Sequence, residues 1–148
     1  MPAPELQTVR ALIEPFVGAL DVAEAIDDPA LQATTGELIA EDAPIEFTTP
    51  EGGIMGGMGG PFRGPGGYLA GWREWVAPWA ELRVEIERTH DLEDGRVLVE
   101  AELVARIPGS STPFAQPGAA LYEVREGRIV RIEHFLDRAQ ARRAAGLG

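Results

Sequence analysis

The chain has 148 residues, 45% of them hydrophobic, with 13 basic against 24 acidic side chains and a formal net charge of −11. That length suits one compact domain spanning residues 1–148, and that charge argues against nucleic acid or an anionic membrane surface as a partner, since both draw affinity from clustered Lys and Arg. With no cysteine, disulfides, thiolate metal sites and cysteine nucleophiles are excluded.

No apolar run approaches the roughly 20 residues of a membrane span. The start, Met-Pro-Ala-Pro-Glu-Leu, has no basic segment ahead of an apolar one. A cytoplasmic protein is expected.

Leu6, Val9, Ile13, Phe16 and Leu20 recur at helical spacing after Pro4 and Glu5, so a helix with one buried stripe begins the fold. Pro15 either kinks it or starts a second helix. Asp27-Asp28-Pro29 breaks the pattern, and a further helix is expected over 30–41. Residues 44–48, short and rich in β-formers, read as a first strand.

Residues 52–67 hold nine of the chain's 18 glycines. Glycine loses too much backbone entropy and proline too many donors for a regular element here. Ile54, Met55, Met58 and Phe62 nevertheless stand in this stretch, which suits either a flap closing over a cavity or a disordered insertion. It carries no phosphate-binding motif. Residues 68–79 read as a helix with Leu69, Trp72, Val76 and Trp79 on one stripe, and all three tryptophans belong to it.

The C-terminal half alternates. Leu82, Val84, Ile86, Arg88 and His90 share one face of a strand, Val97, Val99, Ala101, Leu103 and Ala105 share the inward face of the next, and residues 108–117 read as a loop. A hairpin turning at Arg125-Glu126-Gly127 follows. In its second arm Val130, Ile132, His134 and Leu136 share a face, while Arg131, Glu133 and Phe135 share the other. Asp137 then caps a short helix over 138–145 that stops at Gly146. An antiparallel sheet with helices gathered on one face is an α+β arrangement.

Arg-Glu-Gly-Arg-Ile-Val-Arg at 125–131, Phe-Leu-Asp-Arg at 135–138, Ala-Ala-Gly-Leu at 144–147 and the passage from Leu38 to Phe47 resemble a SnoaL-like domain of the nuclear transport factor 2-like superfamily. The resemblance implies a curved antiparallel sheet wrapped into a cone. Its N-terminal helices and one mid-chain helix close a central pocket, a short helix ends the chain, and two copies commonly form a homodimer through the sheet's outer face. Relatives include polyketide cyclases, ketosteroid isomerases and limonene-epoxide hydrolases, so the fold alone licenses no activity. The isomerase residues do not carry over, since Phe47, Ala23 and Ala120 fall at the positions of its general base, helix tyrosine and oxyanion aspartate. The epoxide hydrolase Asp-Arg-Asp set is not recognisable. For the cyclases, Asp137 is the acidic residue nearest the late aspartate that serves as acid/base.

The catalytic candidates are therefore His134, Tyr122 and Asp137. His134 is a titratable group on an apolar face that the resemblance turns toward the pocket, suited to general acid/base chemistry or to a satisfied core position. Tyr122 shares the inward parity and could donate to His134 or a ligand oxygen, and Asp137 is as good an N-cap as an acid. Phe47, Met55, Met58, Trp72, Trp79, Leu136 and, at the rim, His90 are the ligand-binding candidates. Glu100 and Glu102 are expected to point outward, solvated or at a dimer face. His90 and His134 lack ligand-pair spacing, so no metal is expected, and no cofactor is implied. Three functions stay open: a cyclase- or isomerase-type enzyme acting on a small apolar carbonyl compound, a non-catalytic binding protein for a small apolar ligand, and a dimeric scaffold whose cavity is filled by its own side chains.

Overall fold

The computed structural model describes residues 4–17, 21–48, 62–77, 79–92 and 94–147, and their side chains except those of Thr48, Trp75 and Phe114. Helix α1, Pro4–Val17, buries Val9, Leu12 and Phe16 and runs through Pro15 without a second start. The proline is exposed in the last turns, where its ring meets solvent. Two short helices follow, α2 over Val22–Ile26 and α3 over Pro29–Leu38. Each is opened by an aspartate, Asp21 or Asp28, whose side chain accepts a backbone N–H of the first turn. Helix α2 was not legible as a helix, and α3 stops earlier than residue 41 because Ile39 leaves it to bridge Ile129.

Strand β1 covers Pro44–Thr48 and pairs with the two-residue β2, Phe62–Arg63. Helix α4 then runs from Gly64 to Val76. So the C-terminal part of the glycine-rich stretch is regular, contrary to the expectation of a loop through 67. A first helical turn has orphan N–H groups anyway, and Gly-Pro-Gly-Gly sacrifices few hydrogen bonds there. The helix ends before Trp79, so only two of the tryptophans lie within it. Met55 and Met58 lie outside the described residues.

The remaining strands are β3, Glu81–Asp91; β4, Arg96–Arg106; β5, Pro113–Arg125; and β6, Arg128–Phe135. The six strands form one sheet in the order β2-β1-β6-β5-β4-β3. The sheet is mixed, not wholly antiparallel: β1 pairs with β6 in parallel, Phe47 beside His134. The chain reaches β6 only after a long excursion through α4 and three antiparallel strands, so the two strands point the same way. At the β5–β6 turn both Glu126 and Gly127 have positive φ, 52° and 79°, the geometry of the two-residue hairpin turn that matches strand twist.

Two irregularities reset the alternation. In β3 the register shifts between Ile86 and Arg88, leaving Glu87 extra. In β6, Val124 faces Ile129 while Glu123 faces Arg131, leaving Val130 extra. Such bulges bend the strand and sharpen its twist. Ile129 therefore takes the fully buried place that alternation assigned to Val130.

Helices α1 to α4 cover the inner face around Val97, Val99, Tyr122, Ile132 and the aromatic side chains of α1 and α4. The last helix, α5 over Arg138–Ala145, lies on the opposite face. It seats Ala141 and Ala145 on Leu98, Ala119, Leu121 and Phe135. Its arginines fasten it: Arg142 grips Glu100 with two bonds of 3.0 Å, and Arg138 reaches Glu87 and the Ala101 carbonyl, each at 2.7 Å. Helices thus cover both faces.

Asp137 opens α5 by accepting the N–H groups of Ala139 and Gln140 at 2.8 and 3.4 Å. Replacing it by Ala is expected to cost about 1 kcal/mol of stability, and Asp137→Ser, which can still cap, should restore most of it. Urea unfolding of the two variants checks this, and equal losses would remove the cap from the account.

Candidate functional site

His134 is built into the sheet from three sides. It stands on β6 opposite Ala120 of β5 and Phe47 of β1, and its Nδ1–H donates to the Glu46 carbonyl of β1 at 3.1 Å. A carbonyl can only accept, so Nδ1 carries the proton and Nε2 the basic lone pair. Behind it lies the Phe47 ring, stacked at 4.2 Å and 9° from parallel. Gly71 of α4 makes that stack possible, because a Cβ there would overlap the Phe47 ring. Trp72 meets the imidazole edge-on at 5.4 Å, and the Tyr68 ring lies 6.1 Å away.

The imidazole is 3% exposed. Burial disfavours its charged form and lowers its pKa to about 4, against a smaller upward pull from the Glu46 carbonyl. It is neutral at pH 7.

It faces a cavity of about 50 Å³ between α1, α4 and the sheet. Phe16, Tyr68 and Trp72 form the helical wall, and Val99, Ala101, Gly118, Ala120 and Tyr122 are among the residues that form the floor. The rim toward β3 and β4 is apolar, with Ile13, Val17, Val84, Ile86 and Leu103. Three titratable side chains line it among the described residues, His134, Tyr122 and Tyr68, together with the indole of Trp72, whose N–H donates to the Tyr68 side chain. Burial raises the pKa of both phenols, and Tyr68 is raised further by the neighbouring Tyr122. Both stay protonated donors. No Asp, Glu, Lys or Arg lines the cavity among the described residues.

The sequence candidates separate accordingly. The structure brings His134, Tyr122 and Trp72 to the cavity and sets Phe47 against His134. Trp79 and Leu136 pack partly buried against the surrounding core, and Asp137 is occupied as the α5 cap. His90 requires a correction. The bulge at Glu87 turns it to the sheet's opposite face, where it pairs with Leu98 in register and its Nε2 lies 2.7 Å from Glu100. Glu100 is likewise neither solvated nor at an open face. It is 3% exposed, bound by His90 and Arg142. Chiefly the Arg142 bond, with help from His90 and against burial, lowers its pKa to about 2.

Tyr68 was missed. Its signal was the spacing Tyr68, Trp72, Val76, one turn apart on α4 and all buried, hidden because the glycines before it obscured the helix start. Among the described residues no group of three His, Asp or Glu could hold a metal ion. None of the described helices is long and apolar enough to cross a membrane.

A curved sheet lidded by helices over a small apolar cavity with a buried histidine defines a class of α+β pocket proteins. The chain belongs to the SnoaL-like domain family, whose sequence profile matches residues 10–132. No curated protein matches it. Among solved structures it is similar to a nuclear transport factor 2-like protein of unknown function from Burkholderia pseudomallei K96243, with 20% identity, 96% and 97% of the two chains covered and a TM-score of 0.67. TerC co-crystallised with polyporic acid is similar at 17% identity, 97% and 99% coverage and a TM-score of 0.67. A candidate SnoaL-like polyketide cyclase from Jannaschia sp. CCS1 is similar at 16% identity, 98% and 93% coverage and a TM-score of 0.65. These identities speak to the fold.

Proposed function

We propose that the cavity takes a small, neutral, apolar molecule bearing a carbonyl and that His134 moves a proton on it, in a cyclase- or isomerase-type reaction. The observation that carries this reading is the tautomer: the Glu46 carbonyl holds Nδ1–H and so leaves Nε2 as the base in a cavity that also contains a tyrosine donor. The C–H pair flows into the carbonyl as the proton passes to Nε2, and Tyr122 donates to the oxygen on which negative charge collects. The imidazolium then returns the proton at another carbon. An enolate forming beside it offsets the burial that depresses its pKa in the free protein. A ligand with a carboxylate or phosphate finds no cationic partner in the described lining.

A second reading, binding without turnover, is favoured by the lack of a carboxylate in that lining. The small volume also suits a cavity filled by its own side chains in a dimeric scaffold, and a homodimer remains part of the proposal. The resemblance to TerC, co-crystallised with polyporic acid, supports a small-molecule ligand.

The test is exchange of the acidic C–H protons of β-tetralone in heavy water, followed by proton NMR. Wild type should exceed buffer, and His134→Gln, which does not titrate and can still donate to Glu46, should not. Equal rates would withdraw proton transfer, and ligand-induced shifts in the protein's own spectrum would then favour the binding reading.

A further inference from the structure

Tyr68 is 1% exposed, and the proton transfer described above makes no use of its hydroxyl. A buried tyrosine hydroxyl usually finds a hydrogen-bond partner; the Trp72 indole N–H donates to this one, which leaves its own proton to give. Tyr68 lines the His134 cavity from the helical side, and Tyr122 lines it from β5. Its ring is fixed edge-on against Phe16 at 5.9 Å and lies 6.1 Å from the His134 ring. Three titratable side chains thus converge from α4, β5 and β6 on a space whose other described side chains are apolar apart from the Trp72 indole N–H.

We infer that Tyr68 is a third catalytic residue, forming with Tyr122 a two-donor site for one ligand oxygen beside the His134 base. The inference rests on the proton-transfer reading for its chemistry but on the cavity geometry for its place. A hydroxyl from the helical layer and one from the sheet meet an oxygen from two directions, as a carbonyl with two lone pairs requires. Burial keeps both phenols protonated as donors, and both line the one cavity. Charge on the oxygen grows from ketone to enolate, so both bonds strengthen along the reaction. The occupant is a ketone or a phenol, whose oxygen accepts two bonds and brings no fixed charge.

The probe is para-nitrophenol, whose neutral and anionic forms are distinguished by absorbance and whose anion imitates an enolate. For each protein the dissociation constants of the two forms are measured at a pH on either side of its ionisation. Tyr68→Phe keeps the ring and removes only the donor. It should shift the anion-to-neutral preference by about tenfold or more toward the neutral form, the scale of a hydrogen bond to a charged group, and Tyr122→Phe should do the same. In β-tetralone exchange, Tyr68→Phe should lower the saturating rate with little change in KM.

Tyr68 and Tyr122 are the chain's only tyrosines. Fluorotyrosine incorporation therefore gives fluorine resonances for these two sites alone, and both should move on adding the phenol, which reads the pair even if Tyr68→Phe fails to fold. An unchanged preference in folded Tyr68→Phe, a fluorine spectrum in which only one signal responds, or failure of wild type to bind either form would overturn the inference. A tyrosine-dependent phenol site without tetralone exchange would keep the donor pair and remove the proton transfer. Exchange that needs His134 but not Tyr68 would do the reverse.

Discussion

Between pH 6.5 and about 4 the folded protein is expected to lose about 3 kcal/mol of stability through His134 alone. The unfolded chain takes up this proton near 6.5, whereas the buried imidazole resists it until about 4. Within that window the unfolded state binds more protons, so stability falls as pH falls. The contribution is fully present above the unfolded value and fully lost below the folded one. The ring is almost wholly buried, so bulk water does little to stabilise its charged form. Urea unfolding at several pH values should show a slope in this range for wild type and a flatter one for His134→Gln. Parallel slopes would mean that the imidazole titrates normally and that the cavity is wet.

Glu100 acts in a separate range. Its pKa is lowered from 4.5 to about 2, so its contribution is present above 4.5 and declines as pH falls toward 2. Comparing wild type with His134→Gln isolates the upper window from the lower one.

Gly64→Ala is expected to be as damaging for a different reason. Gly64 has a φ of +69°, and a Cβ there would overlap the backbone carbonyl of Glu41. Its own N–H donates to the Ala43 carbonyl at 2.9 Å, so the backbone cannot rotate away without losing that bond. A left-handed non-glycine residue and a clash with rigid backbone together cost about 3 kcal/mol or more, which is about 10 °C in Tm for a chain of this size. The damage should reach the site, since this junction sets where α4 begins and therefore where Tyr68, Gly71 and Trp72 stand. Gly66→Ala, two residues on, meets nothing within 4 Å. It should be neutral or slightly stabilising, because alanine restricts the unfolded chain and favours helix. Thermal melts of the two variants provide the comparison, and similar Tm values would show that position 64 has no special backbone.

The family, the α+β class and the succession of the long strands were legible because alternation, capping aspartates and turn glycines are local signals. The Glu126-Gly127 turn and the Asp137 cap lie where those rules put them. His134 also lies on the face that alternation assigns, because Ile132 and His134 follow the bulge in β6 and keep regular spacing with each other. His90 follows the bulge in β3, and there the same rule failed. Nothing in Ile-Glu-Arg-Thr-His announces that Glu87 is extra, because a bulge is settled by which strand residues find hydrogen-bond partners across the sheet.

By itself the sequence determined which residues must be buried, where the chain turns, and that a titratable imidazole would stand among apolar neighbours. Tertiary structure alone decided the parallel pairing of β1 with β6, which brings the Glu46 carbonyl to Nδ1 and so chooses the tautomer of His134. It also decided that α5 covers the outer face and draws Glu100 into a buried charge cluster, and that α4 leans Tyr68 over the same cavity as Tyr122. The physical reason is that each of these is a contact between segments far apart in the chain. Periodicity tells which way a side chain points within its own element, and only packing tells what it meets.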